Sequence, residues 1–234
     1  MPVFRLTDHL VFPNPDLAED GLLAIGGDLS VERLLLAYRS GIFPWYGEED
    51  PLLWWSPPER AVLRPGHLHL PARTRRRLRQ RPFEIRFDSA FEQVIGHCSQ
   101  VPRPGQDGTW ITADMRGAYV ALHRAGHAHS VEAWRAGELR GGLYGVSLGG
   151  AFFGESMFSL EPEASRAALE ALDARLLAWG FTLLDGQLPH EGLVGYGFQS
   201  VPRALFLADL ADALRREGRP GPWPDRLPDV LPGR

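Results

Sequence analysis

The chain has no lysine and a single cysteine, Cys98. One thiol excludes an internal disulfide and a multi-cysteine metal site, and it fits a reducing compartment. No run approaches the roughly 18 apolar residues that a membrane span requires. Met1-Pro2-Val3-Phe4-Arg5 lacks the charged-then-apolar layout of a signal peptide. Internal repeats are missing too, and the only biased tract is the Pro-rich tail from Arg219 to Arg234. That tail is expected to lie extended over the body or to fray. These absences point to a cytoplasmic protein with no membrane contact.

What remains is globular material: 234 residues, 44% apolar and 23% charged, enough for a sizeable core in one large or two unequal domains. Without lysine, every basic side chain is a guanidinium, which stays charged and grips phosphate with two donors. The net charge of −4 conceals a division along the chain. Residues 1–59 carry three Arg against ten acids, residues 60–86 nine Arg against Glu84 alone, and residues 87–234 13 Arg against 18 acids. A short basic block between acidic flanks suggests a local polyanion site, with a solvated helix face as the plain alternative. Within it, Arg73, Arg75, Arg76, Arg77, Arg79 and Arg81 crowd residues 71–81. On a helix, Arg73, Arg76, Arg77 and Arg81 share a face.

The first 58 residues are rich in Gly and Pro turn signals, and Pro57-Pro58 marks a boundary between a small domain, 1–58, and the remainder, 59–234. The small domain holds one helix, with Ser30 as cap, Glu32 in its first turn, Leu34, Leu35 and Tyr38 on its apolar face and Gly41 at its end. A second helix is expected over Asp114–Ala125, with Met115, Tyr119 and Leu122 inward and Gly126 as terminator. Strands then follow at Ser130–Arg135, Leu139–Leu148 and Ala151–Ser159, separated by the turns Ala136-Gly137 and Gly149-Gly150. A helix over Ser165–Ala178 and a strand at Phe181–Leu184 complete the pattern, delivering Asp185-Gly186-Gln187 at the strand's end. The order of helix, meander, helix and strand suggests an α+β chain whose larger part is a GNAT-like (N-acetyltransferase-type) acyltransferase domain.

Glu155 stands in Gly154-Glu155-Ser156-Met157-Phe158-Ser159, an acid where a strand is expected to be buried. It is either a site residue or an edge or ion-pair residue. Asp185 and Gln187 sit where α/β folds place sites, or form a turn with Asp185 capping amides. Trp45, Trp54, Trp55 and Trp110 lie in short Gly/Pro-flanked motifs, suited to packing or to stacking on a nucleobase. His123, His127 and His129 do not make a plausible metal site, because Gly126 ends the helix before His127 and no nearby acid completes a ligand set.

Several motifs occur together in order: 21–30 (Gly-Leu-Leu-Ala-Ile-Gly-Gly-Asp-Leu-Ser), Gly41-Ile42-Phe43-Pro44-Trp45, Leu53-Trp54-Trp55-Ser56-Pro57, Gly141-Gly142-Leu143-Tyr144-Gly145-Val146 and the segment around Glu155. With them the chain resembles the leucyl/phenylalanyl-tRNA–protein transferase family over Asn14–Pro57 and Thr109–Phe206. It departs in reading Asp185-Gly186-Gln187 for the usual Asp-Cys-Gln and Glu163-Ala164-Ser165-Arg166 for Asn-Ala-Ser-Lys. The resemblance implies transfer of Leu or Phe, and possible use of Met, from aminoacyl-tRNA to proteins beginning with Arg or Lys, marking them for N-end-rule degradation. The aminoacyl ester is already activated, so no metal, nucleotide or other cofactor is called for. By the same resemblance, Asp185 and Gln187 are the catalytic pair, with Asp185 polarising Gln187, which accepts a hydrogen bond from the attacking amine. Trp45 and Trp110 hold the terminal adenosine, and Glu155 lies near the aminoacyl amine or that adenosine. Leu143, Phe152, Met157, Leu169, Leu172 and Leu184 form the donor side-chain pocket. Arg73, Arg76, Arg77, Arg79 and Arg81 are the expected tRNA contacts of a chain expected to be monomeric. The rival readings are a coenzyme-A-dependent N-acetyltransferase and a non-catalytic tRNA-binding module. The first is opposed by the acidic, glycine-free stretch Leu160–Ser165 where a pyrophosphate loop belongs.

Overall fold

The computed structural model describes residues 3–80, 82–101 and 109–225. In the N-terminal part, β1 (Phe4–Leu6), β2 (Leu22–Gly26), β3 (Phe43–Pro44) and β4 (Leu53–Trp55) form a sheet ordered β1-β2-β4-β3. Helix α1 (Val31–Arg39) starts where its cap dictates: the Ser30 hydroxyl accepts the Arg33 amide at 3.4 Å, and Glu32 sits in the positive first turn. Gly41 follows at φ +71°, and a Cβ there would stand 2.5 Å from Leu207 Cδ2, so this close-packed exit requires glycine.

The second sheet has seven strands: β5 (Glu59–Leu63), β6 (Glu84–Phe87), β7 (Ala128–Arg135), β8 (Glu138–Leu148), β9 (Ala151–Ser159), β10 (Leu183–Gln187) and β11 (Gln199–Pro202). Their order is β11-β5-β10-β9-β8-β7-β6, antiparallel except that β10 runs parallel to β9. The expected meander is β7–β9. Its first turn has Ala136 and Gly137 at φ 51° and 78°, the left-handed pair of a tight two-residue hairpin. The strand expected at Phe181–Leu184 begins instead at Leu183. The Phe181 amide is spent on the Leu176 carbonyl (2.9 Å), closing the end of a helix at Gly180.

Helices α2 (Ala72–Leu78) and α5 (Ala164–Ala178) cover one face of this sheet. The other face carries α1, α3 (Phe91–Cys98), α4 (Ala113–Arg124) and α7 (Arg203–Leu214), while α6 (Glu191–Val194) is a single turn before β11. Each face has its own core. Leu143, Phe152, Leu169, Leu172 and Leu184 pack under α5. Tyr38, Tyr144, Phe153, Phe158 and Phe206 pack on the opposite side, in a cluster that continues through Leu23, Phe43 and Trp54 of the small sheet. The fold is thus mixed α/β, with both sheets sharing a core.

Two irregularities shape the site. In the β8–β9 ladder Tyr144 pairs with Ser156 and Gly145 with Gly154, which leaves Glu155 as a bulge. One extra residue reverses the in–out alternation, so Phe153 and Phe158 both reach the same core. In the β10–β5 ladder Asp185 pairs with Val62 and Gln187 with Ala61, making Gly186 the extra residue. The described part of the tail, 219–225, is draped rather than frayed. Trp223 is buried and stacks 4.0 Å from His129, and Asp225 accepts the Phe87 amide. No helix among the described residues is long and apolar enough to cross a membrane.

Candidate functional site

The parallel β9–β10 ladder stops at the Phe153–Asp185 pair, and Glu155 and Gln187 lie just beyond it. Two carboxylates therefore stand on adjacent strands, facing the side covered by α1, α4 and α7. Each is held differently.

Asp185 is fully buried. Its Oδ1 accepts Arg60 Nε at 3.2 Å and its Oδ2 pairs with Arg60 Nη2. Arg60 Nη1 donates to the Gly41 carbonyl at 2.9 Å, and the guanidinium lies between the rings of Phe43 and Phe206, 4.8 and 4.3 Å from their centroids. Every donor group of the buried cation is thus directed by the fold, as a desolvated ion pair requires. Asp185 Oδ1 also accepts the backbone amide of Gln187 at 2.8 Å. The bond between these residues therefore runs to the Gln187 main chain and not to its side-chain amide. Gln187 itself sits at φ +62°, a left-handed conformation costing about 1–3 kcal/mol, held by that amide bond and by the bulge at Gly186.

Glu155 has no guanidinium against it. Its Oε1 accepts the Tyr38 hydroxyl at 2.7 Å and Gln187 Nε2 at 2.7 Å, and its Oε2 accepts the Tyr119 hydroxyl at 3.0 Å. The two phenols also touch each other. Removal from water pushes the Glu155 carboxyl up to about 7, against the lowering effect of the two phenol hydrogen bonds; nearby Asp185 raises it and Arg60 lowers it. Burial, reinforced by the Glu155 charge, drives both phenols well above their ordinary range, so they remain protonated donors. A ring of three oxygen–oxygen contacts with two phenolic protons becomes complete when Glu155 carries a third. No hydrogen bond among the described residues engages Gln187 Oε1, which leaves a fixed acceptor beside a titratable acid.

The two tryptophan motifs converge on the same face. Trp45 is half-buried, 5.6 Å from the Trp55 ring, and both Trp45 and Trp110 pack against the cluster containing Tyr38 and Tyr119. The Tyr46 phenol lies near the Thr112 side chain, which brings their segments together. The residues expected to line a donor pocket lie elsewhere. Leu143, Phe152, Leu169, Leu172 and Leu184 are buried together under α5, with Met157 at their edge, across the sheet from Glu155.

Of the arginine block, Arg73, Arg76, Arg77 and Arg79 are exposed on or just after α2, and Arg81 lies outside the described residues. Arg77 donates to Glu163 at 3.2 Å, and Arg166 to the same carboxylate at 2.8 Å. Positions 163 and 166, both unusual for the pattern, thus pair with each other. Arg60 heads the basic block in sequence but is buried. Arg60, Tyr38 and Tyr119 were not legible as site residues. The signal available for the two tyrosines was a hydroxyl on an inward helix face, which needs a buried partner.

Residues 62–211 match the family model described as leucyl/phenylalanyl-tRNA protein transferase, and residues 27–58 match the model of that family's N-terminal domain. A leucyl/phenylalanyl-tRNA–protein transferase of Myxococcus xanthus is 54% identical over 226 residues, covering 95% of this chain and 97% of its own. One from Nitratidesulfovibrio vulgaris is 53% identical over 227 residues, covering 96% of each chain. Likeness to solved structures is distant: L-PGS from Bacillus licheniformis aligns with a TM-score of 0.39 at 15% identity, over 73% of this chain and 55% of that one.

Proposed function

The chain belongs to the leucyl/phenylalanyl-tRNA protein transferase family, and on that premise we propose that it moves Leu or Phe from aminoacyl-tRNA to the α-amino group of proteins beginning with Arg or Lys. The observation that carries this reading is the Gln187–Glu155 hydrogen bond, which fixes the amide and leaves Gln187 Oε1 available to a substrate amine. The acceptor nitrogen attacks the ester carbonyl, a C–N bond forms, and the C–O bond to the ribose breaks. Gln187 accepts a hydrogen bond from the amine and orients it; a neutral amide does not take the proton. Glu155, at about 7, is matched to hold that proton and return it to the departing ribose oxygen, so the reaction balances without a cofactor.

The terminal adenosine rests on the Trp45 and Trp110 side. The donor side chain enters where the β9–β10 ladder ends, toward Leu143, Phe152, Met157, Leu169, Leu172 and Leu184. Met157, unbranched and at the edge, is the residue best able to yield to it. Asp185 acts at one remove, by holding the Gln187 backbone. The exposed Arg73, Arg76, Arg77 and Arg79 meet tRNA phosphates, contributing affinity without base choice. Residues 1–58 and 59–234 act as two units of a cytoplasmic monomer, the larger GNAT-like because its parallel β9–β10 pair flanks an antiparallel meander. The product is marked for N-end-rule degradation.

The test is incubation with radiolabelled Leu-tRNA and a model protein carrying N-terminal Arg, followed by counting acid-precipitable label. Incorporation that requires the N-terminal Arg is expected. No incorporation, or labelling indifferent to the acceptor's first residue, refutes the reading.

A further inference from the structure

A cleft of about 540 Å³ opens at the Gly149-Gly150 end of the central strands, between the C-terminal end of α1 and the chain just after α7. Its lining includes Arg39, His127, Ser147, Arg216, Glu217 and Arg219. None of the three arginines is ion-paired among the described residues. Three guanidiniums against the single carboxylate of Glu217 leave the cleft with an excess of two positive charges.

Two of those guanidiniums are seated by the fold. The Arg216 stem crosses Gly150, where a Cβ would stand 2.6 Å from its Cδ, and Arg216 Nη1 donates to the Gly180 carbonyl at 3.2 Å. Arg219 lies over Trp179, 5.4 Å from the ring centroid. Ser147 is 5% exposed, and its hydroxyl has no partner among the described residues. Burial, with the neighbouring Arg39 charge, lowers the His127 imidazole below its ordinary value, so the ring is neutral and carries both a donor and an acceptor.

We propose that this cleft is a phosphate-binding site, its arginine forks each taking phosphate oxygens with two donors. A ligand with more than one negative charge is needed to balance it, which a single carboxylate does not supply. The cleft is separate from the arginine helix. Arg77 reaches Glu163 at the N-terminal end of α5, whereas Arg216 reaches Gly180 past its C-terminal end. At ~1.5 Å per residue these anchors are roughly 25 Å apart. The cleft is nonetheless close to the chemistry in the chain, since Arg39 follows Tyr38, which hydrogen-bonds Glu155. Successive phosphodiesters of a bound tRNA and a small free phosphate anion share the required chemistry. The first source rests on the proposed use of aminoacyl-tRNA.

Two arms test it. Inorganic pyrophosphate titrated onto the full chain, with the His127 ring followed by NMR, should give a saturable shift that the double variant Arg39→Gln/Arg219→Gln abolishes. Deacylated tRNA measured over a salt series should bind the double variant at least about tenfold more weakly at low salt. Its log–log salt slope should fall by roughly 1.4–1.8, the loss of two phosphate contacts at ~0.7–0.9 each. A change in the tRNA arm assigns the site to RNA; a change in the pyrophosphate arm alone assigns it to a small anion. The thermal midpoint checks that the variant is folded, and the parent's pyrophosphate response decides the matter if it is not. A His127 signal indifferent to pyrophosphate, with tRNA binding and slope unchanged, overturns the proposal. Failure of the parent to transfer Leu from Leu-tRNA would sink the proposed function and leave the pyrophosphate arm standing.

Discussion

Glu155 and Asp185 are acids on neighbouring strands, one on each side of the point where the β9–β10 ladder ends, and the fold treats them in opposite ways. Asp185 is given a guanidinium, sandwiched between Phe43 and Phe206, and a backbone amide. Glu155 is given two phenols and a carboxamide, all neutral. A desolvated carboxylate gripped by a cation is held in place and stiffens its surroundings. One with only neutral donors is left able to take a proton near neutrality. The difference separates a residue that positions from a residue that can exchange protons, although both lie in the same site and both are acids.

The largest expected effect is on stability. Arg60→Leu leaves Asp185 buried and unpaired, and should destabilise the fold by about 3–5 kcal/mol. Chemical denaturation measures it; a loss below about 1 kcal/mol would mean that the pair contributes little and that the two acids are not held differently. Gln187→Ala should do the reverse. Removing an orienting group costs ~10²-fold or more in transfer rate, while stability should change by less than about 1 kcal/mol, since the Gln187 backbone bond to Asp185 survives and alanine adopts the same φ at similar strain. Paired kinetics and denaturation curves check this; full turnover in the variant would remove Gln187 from the mechanism. The smallest effect belongs to Gly186→Cys, which restores the family's usual residue. A Cβ at Gly186 would stand 2.8 Å from Leu193 Cδ1 and 3.0 Å from the Phe198 ring. Leu193 can swing aside, so transfer should stay within about twofold, with a slightly lowered thermal midpoint. A collapse of activity would show that the bulge geometry matters more than the two carboxylate environments do.

The same contrast explains what the sequence disclosed. Helices α1 and α4 were legible because Ser30 caps the first, an apolar face runs along each and glycines follow them. The meander was legible because its turns are written in Ala136-Gly137 and Gly149-Gly150. Helix α3 was not: Ala90 offers no side-chain cap, and the Ala90 amide and the Ser89 hydroxyl instead donate to Glu132, some forty residues away. Strand β5 follows Pro57-Pro58 and opens the basic block, so its composition read as charge rather than as a central strand. Glu155, Asp185 and Gln187 stood out as polar residues in apolar surroundings. Their partners did not, because Tyr38 and Tyr119 occupy inward helix positions that apolar periodicity alone accounts for, and because Arg60 looked like one of nine surface cations. Pairing across 125 residues, as between Arg60 and Asp185, leaves no local trace.

The titration of Glu155 carries the account. Because its folded value lies above the ordinary 4.5, the native protein binds a proton that the unfolded chain has already released. Its contribution to stability is therefore complete below about 4.5 and is lost as pH rises through about 7. The most direct measurement is the side-chain carboxyl ¹³C resonance of labelled glutamates, assigned by Glu155→Gln and followed from pH 4 to 9, on the order of the range that brackets both values. A glutamate carboxyl with a midpoint near 7, missing in Glu155→Gln, is expected. If every glutamate titrates below about pH 5, the neutral-donor environment does not hold a proton, and the distinction between the two acids fails.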